Sequence, residues 1–402
     1  MDPLARKKRI IYITLTLVIA LSAAGFYLWR SISPATPPAK EEAQGIIDRI
    51  VGKIFGAPKP PPPPTLPPET VPPPPPPTTE ELKINEEKQL LQLTDFAVIA
   101  PSLDAKQARI LFYKKDGGDM MASAFHSVIP EKLSHVTIVG LLKGIWAPAK
   151  DRAFLHYLDG EEVKSFLHIG TSTVVLFPFN VQSFSWSPSG TQIAYTLRNG
   201  TELDLIIADA SGKNARTIFR TPLASTHLQW VSSDEILFTT TPSSRAEGHA
   251  FFYHPSSGAF TKILGPFYGL MVHFSPNGQG ALFSHVERGG KNLTLSHYDA
   301  RTGRSTDLGV ATLPEKCAWA GIDTVYCAVP RTSTAEQWPD QYLRGENASS
   351  DKIVRITLKN NGIETVFDEG LYDMQDLFLT SNEQILGFVD RHDGTLWRLK
   401  LK

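Results

Sequence analysis

The sequence predicts an all-β fold: a seven-bladed β-propeller of four-stranded blades, closed by an N-terminal strand and preceded by one transmembrane helix and a proline-rich linker. Three observations lead there. An aromatic residue recurs ahead of a turn at a near-constant period, each period repeats one order of apolar runs, and the last period lacks a run that the start of the repeat region can supply.

The recurring aromatics are Trp146, Trp186, Trp230, Phe274, Trp319 and Phe378, spaced 40, 44, 44, 45 and 59 residues apart, and an earlier unit starts at Phe96, which makes seven. After each turn comes a strongly apolar run, as in ARILFY (108–113), QIAYTL (192–197), EILFTT (235–240) and QILGFV (384–389). A polar turn then leads to a third run such as DLIIADASGK, and a weaker fourth follows, such as ARTIFRT. Four short runs per period, separated by Gly, Asp and Asn turns, read as the strands of a propeller blade. Helical repeats of similar length need a 3.6-residue period, which is absent. The final unit stops after its third run at Lys402, and KQLLQLTD (88–95) is free to complete it. Pairing the two ends in this way leaves no open sheet edge between first and last blades.

The rest of the chain is a delivery system for this domain, 85–402. Of 31 prolines, 17 lie between Pro34 and Pro77, so that part cannot be packed core. Residues 1–9 form a basic tail carrying Arg6, Lys7, Lys8 and Arg9, followed by 20 uncharged residues at 10–29, long enough to cross a bilayer as a signal-anchor helix. Positive charge ahead of the span keeps the N-terminus cytoplasmic. The expected location is therefore the cell membrane, single-pass, with the propeller extracytoplasmic. A cleavable signal peptide ending near Ser22-Ala23-Ala24 is the competing reading, and it too places the remainder beyond the membrane.

Within the linker, 30–84, the stripe Ile46, Ile47, Ile50, Val51, Ile54 and Phe55 marks a short amphipathic helix at 44–56. It lies on the membrane surface, docks on a partner or packs on its own linker. Residues 58–79 read as a polyproline II spacer of roughly 65 Å, although such segments also bind aromatic grooves.

WSPSGTQIAY, HFSPNGQGALF and DLIIADASGK resemble the repeats of TolB-like propellers, a family related to WD repeats, over residues 88–402. The resemblance implies the propeller fold but no single activity, because that fold hosts scaffolds, peptidase gates, lyases and sugar binders. Ser189 and Asn277 stand where the family usually has Asp, three units lose the Ser-Pro, and no separate α/β domain of the periplasmic TolB kind is present. The layout of anchor, spacer and propeller resembles membrane-anchored propellers of candidate-phylum bacteria.

Lys plus Arg (40) and Asp plus Glu (41) nearly cancel, with no basic stripe, which argues against a nucleic-acid partner. Two cysteines exclude a four-Cys zinc site. Aligned on the repeat, Cys317 takes the place of Phe184, Leu228 and Val272, and Cys327 that of Tyr195, Phe238 and Phe283. The pair is either a cross-strand disulfide or two buried small hydrophobes.

The insertion at 331–350 carries Trp338, Asp340, Tyr342 and Arg344. It is either an exposed contact loop or a plug in the groove between two blades. Eleven histidines are scattered, with His249 near His254 and His273 near His285 in sequence, and no H-E-x-x-H, P-loop or G-x-S-x-G is present. No catalytic, cofactor-binding or metal-ligating residue is therefore assigned, and no cofactor is expected. The expected function is a non-enzymatic interaction module, a monomeric propeller that binds a protein or an envelope polymer. The alternative is a propeller enzyme of lyase or glycosidase type with its site in the central funnel.

Overall fold

The computed structural model describes residues 85–401, apart from 135, 179, 224 and 334 and the side chain of Ser333. The expected span at 10–29, the helix at 44–56 and the spacer at 58–79 lie outside the described residues. Among those described, no helix is long and apolar enough to cross a membrane.

Consecutive strands pair antiparallel into six sheets. After β1 (Leu90–Gln92), the first sheet is β2 (Val98–Leu103), β3 (Arg109–Lys114), β4 (Met120–Ala124) and β5 (Glu131–Lys132). The second is β6 (Leu141–Trp146), β7 (Arg152–Asp159), β8 (Glu162–Ile169) and β9 (Thr173–Leu176). The third is β10 (Val181–Trp186), β11 (Gln192–Asn199), β12 (Glu202–Asp209) and β13 (Arg216–Thr221).

The fourth sheet has seven strands: β14 (Thr226–Ser232), β15 (Glu235–Thr240), β16 (Glu247–His254), β17 (Ala259–Phe274), β18 (Gly280–Val286), β19 (Thr294–Asp299) and β20 (Arg304–Asp307). It holds two sequence repeats, because the 16-residue β17 ends one repeat and begins the next. The fifth is β21 (Cys317–Ala320), β22 (Thr324–Ser333), β23 (Ser349–Thr357) and β24 (Gly362–Phe367), entered through a 3-10 turn at Pro314–Lys316. In the sixth, β25 (Met374–Leu379), β26 (Ile385–Asp390) and β27 (Leu396–Lys400) are followed in space by β1, with Leu90 opposite Leu399 and Gln92 opposite Trp397.

Burial falls from the middle of each sheet to its outer strand. Six consecutive residues of β12, Leu203 to Ala208, are buried, whereas every residue of β20 is exposed. A strand apolar on both faces needs a neighbour on each side, and period-two alternation sends its residues to the two in turn. Ile206 and Ala208 pack with Phe154 and Leu167 of the second sheet, while Leu205 and Ile207 pack with Trp230 and Phe238 of the fourth. One further core cluster joins Leu91, Leu93, Val98, Ile110 and Phe112 from the start of the chain to Val389 and Leu396 from its end. A core that joins successive sheets in this way is that of a β-propeller.

The recurring aromatic does part of this joining. The indole Nε1 of Trp146 donates to the Ala100 carbonyl (2.7 Å), and that of Trp186 to the Ile145 carbonyl (3.0 Å), each on the first strand of the preceding sheet. The turn that follows is closed by Ser187 N donating to Gln192 O (2.9 Å) and Gly190 N to Ser187 O (2.8 Å), with Gly190 at φ 70°. A side chain at Gly190 would be strained by that φ. Ser189 and Asn277 replace the usual Asp here because an oxygen acceptor suffices: Asn277 Oδ1 takes the Gln279 N–H (3.0 Å).

Trp230 is equally buried, but its indole N–H has no partner among the described residues. Trp186→Phe should therefore cost about 1 kcal/mol through the lost hydrogen bond, and Trp230→Phe should cost less. Denaturant unfolding of the two variants checks the order, and the reverse order would remove the indole bond from this account.

Candidate functional site in the central channel

The insertion turns inward. Trp338 and Tyr342 are buried, their rings stacked with centroids 5.7 Å apart, against Met271, Val286, Leu293 and Leu313. A one-turn helix, α1 (Asp340–Leu343), carries Asp340, whose carboxylate accepts the Ser244 N–H of the fourth sheet's loop (2.6 Å). Arg344 alone of the four candidates is exposed, paired with Glu346 (2.5 Å). Of the two readings of the insertion, the burial of Trp338 and Tyr342 agrees with a plug between blades. Beside it opens a cavity of about 610 Å³, with Lys291, Asn292 and Glu336 on its wall.

Beneath the plug lies a buried ion cluster. Lys316 is fully buried and its Nζ stands 2.7 Å from Asp351 Oδ2 and 2.7 Å from Asp373 Oδ1. Arg391 reaches Asp373 Oδ2 (3.2 Å) and donates to the carbonyls of Asn347 (2.8 Å) and Tyr342 (2.6 Å). One residue on, Cys317 and Cys327 are joined in a disulfide with α-carbons 4.1 Å apart. They face one another across β21 and β22, in the same register as Phe184 with Tyr195, Leu228 with Phe238 and Val272 with Phe283.

The first strands of the sheets lie against one another in succession, β2 by β6 and by β25, β10 by β14, and β21 by β25, so their inner faces surround the propeller channel. Lys143 on β6, His227 on β14 and Asp376 on β25 sit on these strands, and Glu315 sits in the turn that enters β21. Their sheets are not all neighbours, yet the charge of Lys143 acts on His156, His227, Glu315 and Asp376, and Asp376 acts on Glu315. Groups from separated blades meet in this way only near the axis.

All four side chains are accessible by area, yet His227, Glu315 and Asp376 shift as desolvated groups do. A narrow channel reconciles the two, because a water molecule reaches these groups where bulk solvent does not. Burial pushes the Glu315 carboxyl up, with Lys143 opposing and Asp376 adding, and burial pushes Asp376 up against the pull of Lys143. His227 is pushed down by burial and then by Lys143, and His156 falls to about 4 for the same two reasons. His273 is also lowered by burial, opposed by its hydrogen bond to the Pro314 carbonyl.

Among the described residues no group of three or more His, Cys, Asp or Glu side chains could hold a metal ion. His254 instead contacts the Asp234 carbonyl (3.2 Å) and His285 stacks on Phe267. Sequence reasoning missed the channel groups. Lys143 and His227 each stand three residues before the repeat tryptophan, and a polar side chain at that phase was the available signal.

Two outcomes follow. Lys143→Met should raise the pKa of His156 and His227, which lose a repelling cation, and raise those of Glu315 and Asp376 further, since both lose an attracting one. NMR titration of the side chains reads all four directions. Trp338→Ala should cost about 3–5 kcal/mol, as aromatic truncation in a core does, while Arg344→Ala leaves the unfolding midpoint where it was.

A scan against protein-family models gives no match, and a search of curated proteins gives none. Solved structures do match. An oligogalacturonate lyase in complex with manganese superposes with a TM-score of 0.56 at 11% identity, over 78% of this chain and 93% of its own. The β-propeller domain of the Trilobed protease from Pyrococcus furiosus, whose structure reveals an open velcro topology, gives 0.52 at 12%, over 76% and 96%. TolB from Acinetobacter baumannii gives 0.47 at 13%, over 65% and 64%. Identities this low speak of backbone arrangement and not of activity. Sheet order, packing and the first two of these likenesses agree on the fold: the chain is a β-propeller.

Proposed function

We propose that this chain is a membrane-anchored extracytoplasmic interaction module whose partner, a protein or an envelope polymer, engages the channel mouth. One observation carries the reading. Lys143, His227, Glu315 and Asp376 converge on the channel, and none of these side chains makes a hydrogen bond within the described residues. Catalytic groups are held in place by supporting hydrogen bonds; these four are uncommitted and suit an adaptable polar contact. A seven-bladed closed ring belongs to the same reading, supported by the seven repeats and the pairing of β1 with β27. The anchor rests on the basic tail and the apolar span at 10–29.

The two carboxyls also come at a thermodynamic cost. Their folded pKa values lie above the ordinary ones, so the folded state is disfavoured as Glu315 and Asp376 ionise, fully so once the pH has passed the raised values. Carboxyls retained against stability are candidates for function. Their nearness to each other favours, as a second reading, a propeller enzyme of lyase or glycosidase type using the same channel.

Affinity capture from native membranes separates the readings. The full chain should retain a partner that a variant carrying K143M, E315Q and D376N releases, with the variant at least as stable as the parent at neutral pH after the two carboxyl replacements. Retention by the variant would move the site elsewhere. Degradation of an added polysaccharide by the parent alone would replace the module with the enzyme.

A further inference from the structure

The cluster at Lys316 holds the parts of a condensation reaction. Its amine lies 2.7 Å from Asp351 Oδ2, and both side chains are completely buried. Desolvated amines are nucleophiles, and fixed proximity replaces the entropy of a bimolecular encounter.

The remaining contacts are arranged around a carboxyl under attack. Met374 N donates to Asp351 Oδ2 (2.7 Å), where negative charge would develop. The other oxygen, Asp351 Oδ1, is 2.8 Å from the Ser349 hydroxyl, which also lies 3.0 Å from Asp373 Oδ1. Asp373 Oδ1 in turn receives Lys316 Nζ (2.7 Å). A continuous path therefore runs from the amine through Asp373 and Ser349 to the oxygen that must leave. The Tyr342 ring covers Lys316 at 5.6 Å, with Trp338 stacked behind it, so the plug keeps the cluster dry.

We propose that Lys316 and Asp351 are joined by a side-chain amide bond that the folded domain forms in itself, with Asp373 and Ser349 relaying the protons. Nζ attacks Asp351 Cγ, the N–C bond forms, and the bond from Cγ to Oδ1 breaks. Two of the three ammonium protons pass through Asp373 and Ser349 to Oδ1, which departs as water. An ammonium and a carboxylate become one neutral amide and one water, with no oxidant or co-reactant.

The charges left behind balance. Before reaction Lys316 and Arg391 face Asp351 and Asp373; afterwards Arg391 and Asp373 remain as a pair at 3.2 Å. Removing a buried ion pair also removes its desolvation cost. The carboxyls are differentiated as the step requires: burial pushes Asp351 up, which favours passing an ammonium proton to it, whereas Asp373 stays low because Lys316 and Ser349 outweigh its burial. With the Cys317–Cys327 disulfide next to it, the bond would tie β21, β22 and β23 of one sheet covalently together.

Peptide mapping of the full chain, solubilised from membranes, reduced and digested with trypsin, tests this. The expected product is peptide 305–331, uncut at Lys316, carrying peptide 345–352 as a branch, at the summed mass less one water. Recovery of Lys316 as a cleaved C-terminus and of 345–352 at its unmodified mass would overturn the proposal. Asp373→Asn keeps both reacting groups and should yield the two linear peptides; a branched product at the parental extent would remove Asp373 from the relay. Asp351→Asn should give the branched product with loss of ammonia in place of water. If either variant fails to fold, the parental map alone decides.

Discussion

Antiparallel pairing of β1 with β27 is the contact on which the other sheets depend. Each sheet is apolar on both faces of its middle strands and so requires a neighbour on either side. A row of such sheets has two raw faces, one at each end, unless the ends meet. Leu91, Leu93, Val98, Ile110 and Phe112 from the start of the repeat region are buried in one cluster with Val389 and Leu396 from its end. At about 2 kcal/mol for each buried side chain, these residues together rival the net stability of a whole domain. The backbone contributes as well, since Leu93 N donates to Leu396 O (2.8 Å) and Val98 N to Gly394 O (2.9 Å). Arg398 is buried beneath them and donates to the carbonyls of Phe125 and Lys88, so an always-charged group near the end of the repeat region is satisfied by backbone from its start.

Local patterning made most of this legible. A repeat aromatic, a turn with an acceptor and an apolar run sit within about a dozen residues, and such short-range signals survive in one sequence. The alignment even carried register: Cys317 and Cys327 were placed by analogy with Phe184 and Tyr195, and the two pairs occupy matching positions in their sheets. What the pattern missed is non-local. The fusion of two repeats through β17 arises because KILGPFYGLM lacks the polar turn that separates other units, and a missing signal is harder to read than a present one. Lys316, Asp351 and Asp373 are 35 and 22 residues apart in succession, and nothing local distinguishes them from surface charges. Only the fold brings them together.

Those three residues also show how the sixth repeat accommodates its extra length. An insertion needs partners for its own apolar side chains, and Trp338 and Tyr342 find theirs between the fourth and fifth sheets. The cover then excludes water from the ions below, which raises the energetic stake of each contact there. Asp340 pins the near end of α1 to Ser244, and Arg391 pins the far end through the Tyr342 carbonyl. The plug is therefore held by hydrogen bonds to two other repeats as well as by its own packing.

A break in the repeat is a reasonable place to search when packing demands are met by the repeat itself. In this chain the break is absorbed by packing, and its aromatics face the core. The variation left over lies at the channel, where the same strand phase carries Lys143 in one blade and His227 in another. Both side chains are exposed and make no hydrogen bond to the described residues. Two carboxyls whose ionisation the fold disfavours, Glu315 and Asp376, are poor choices for any residue selected for stability alone.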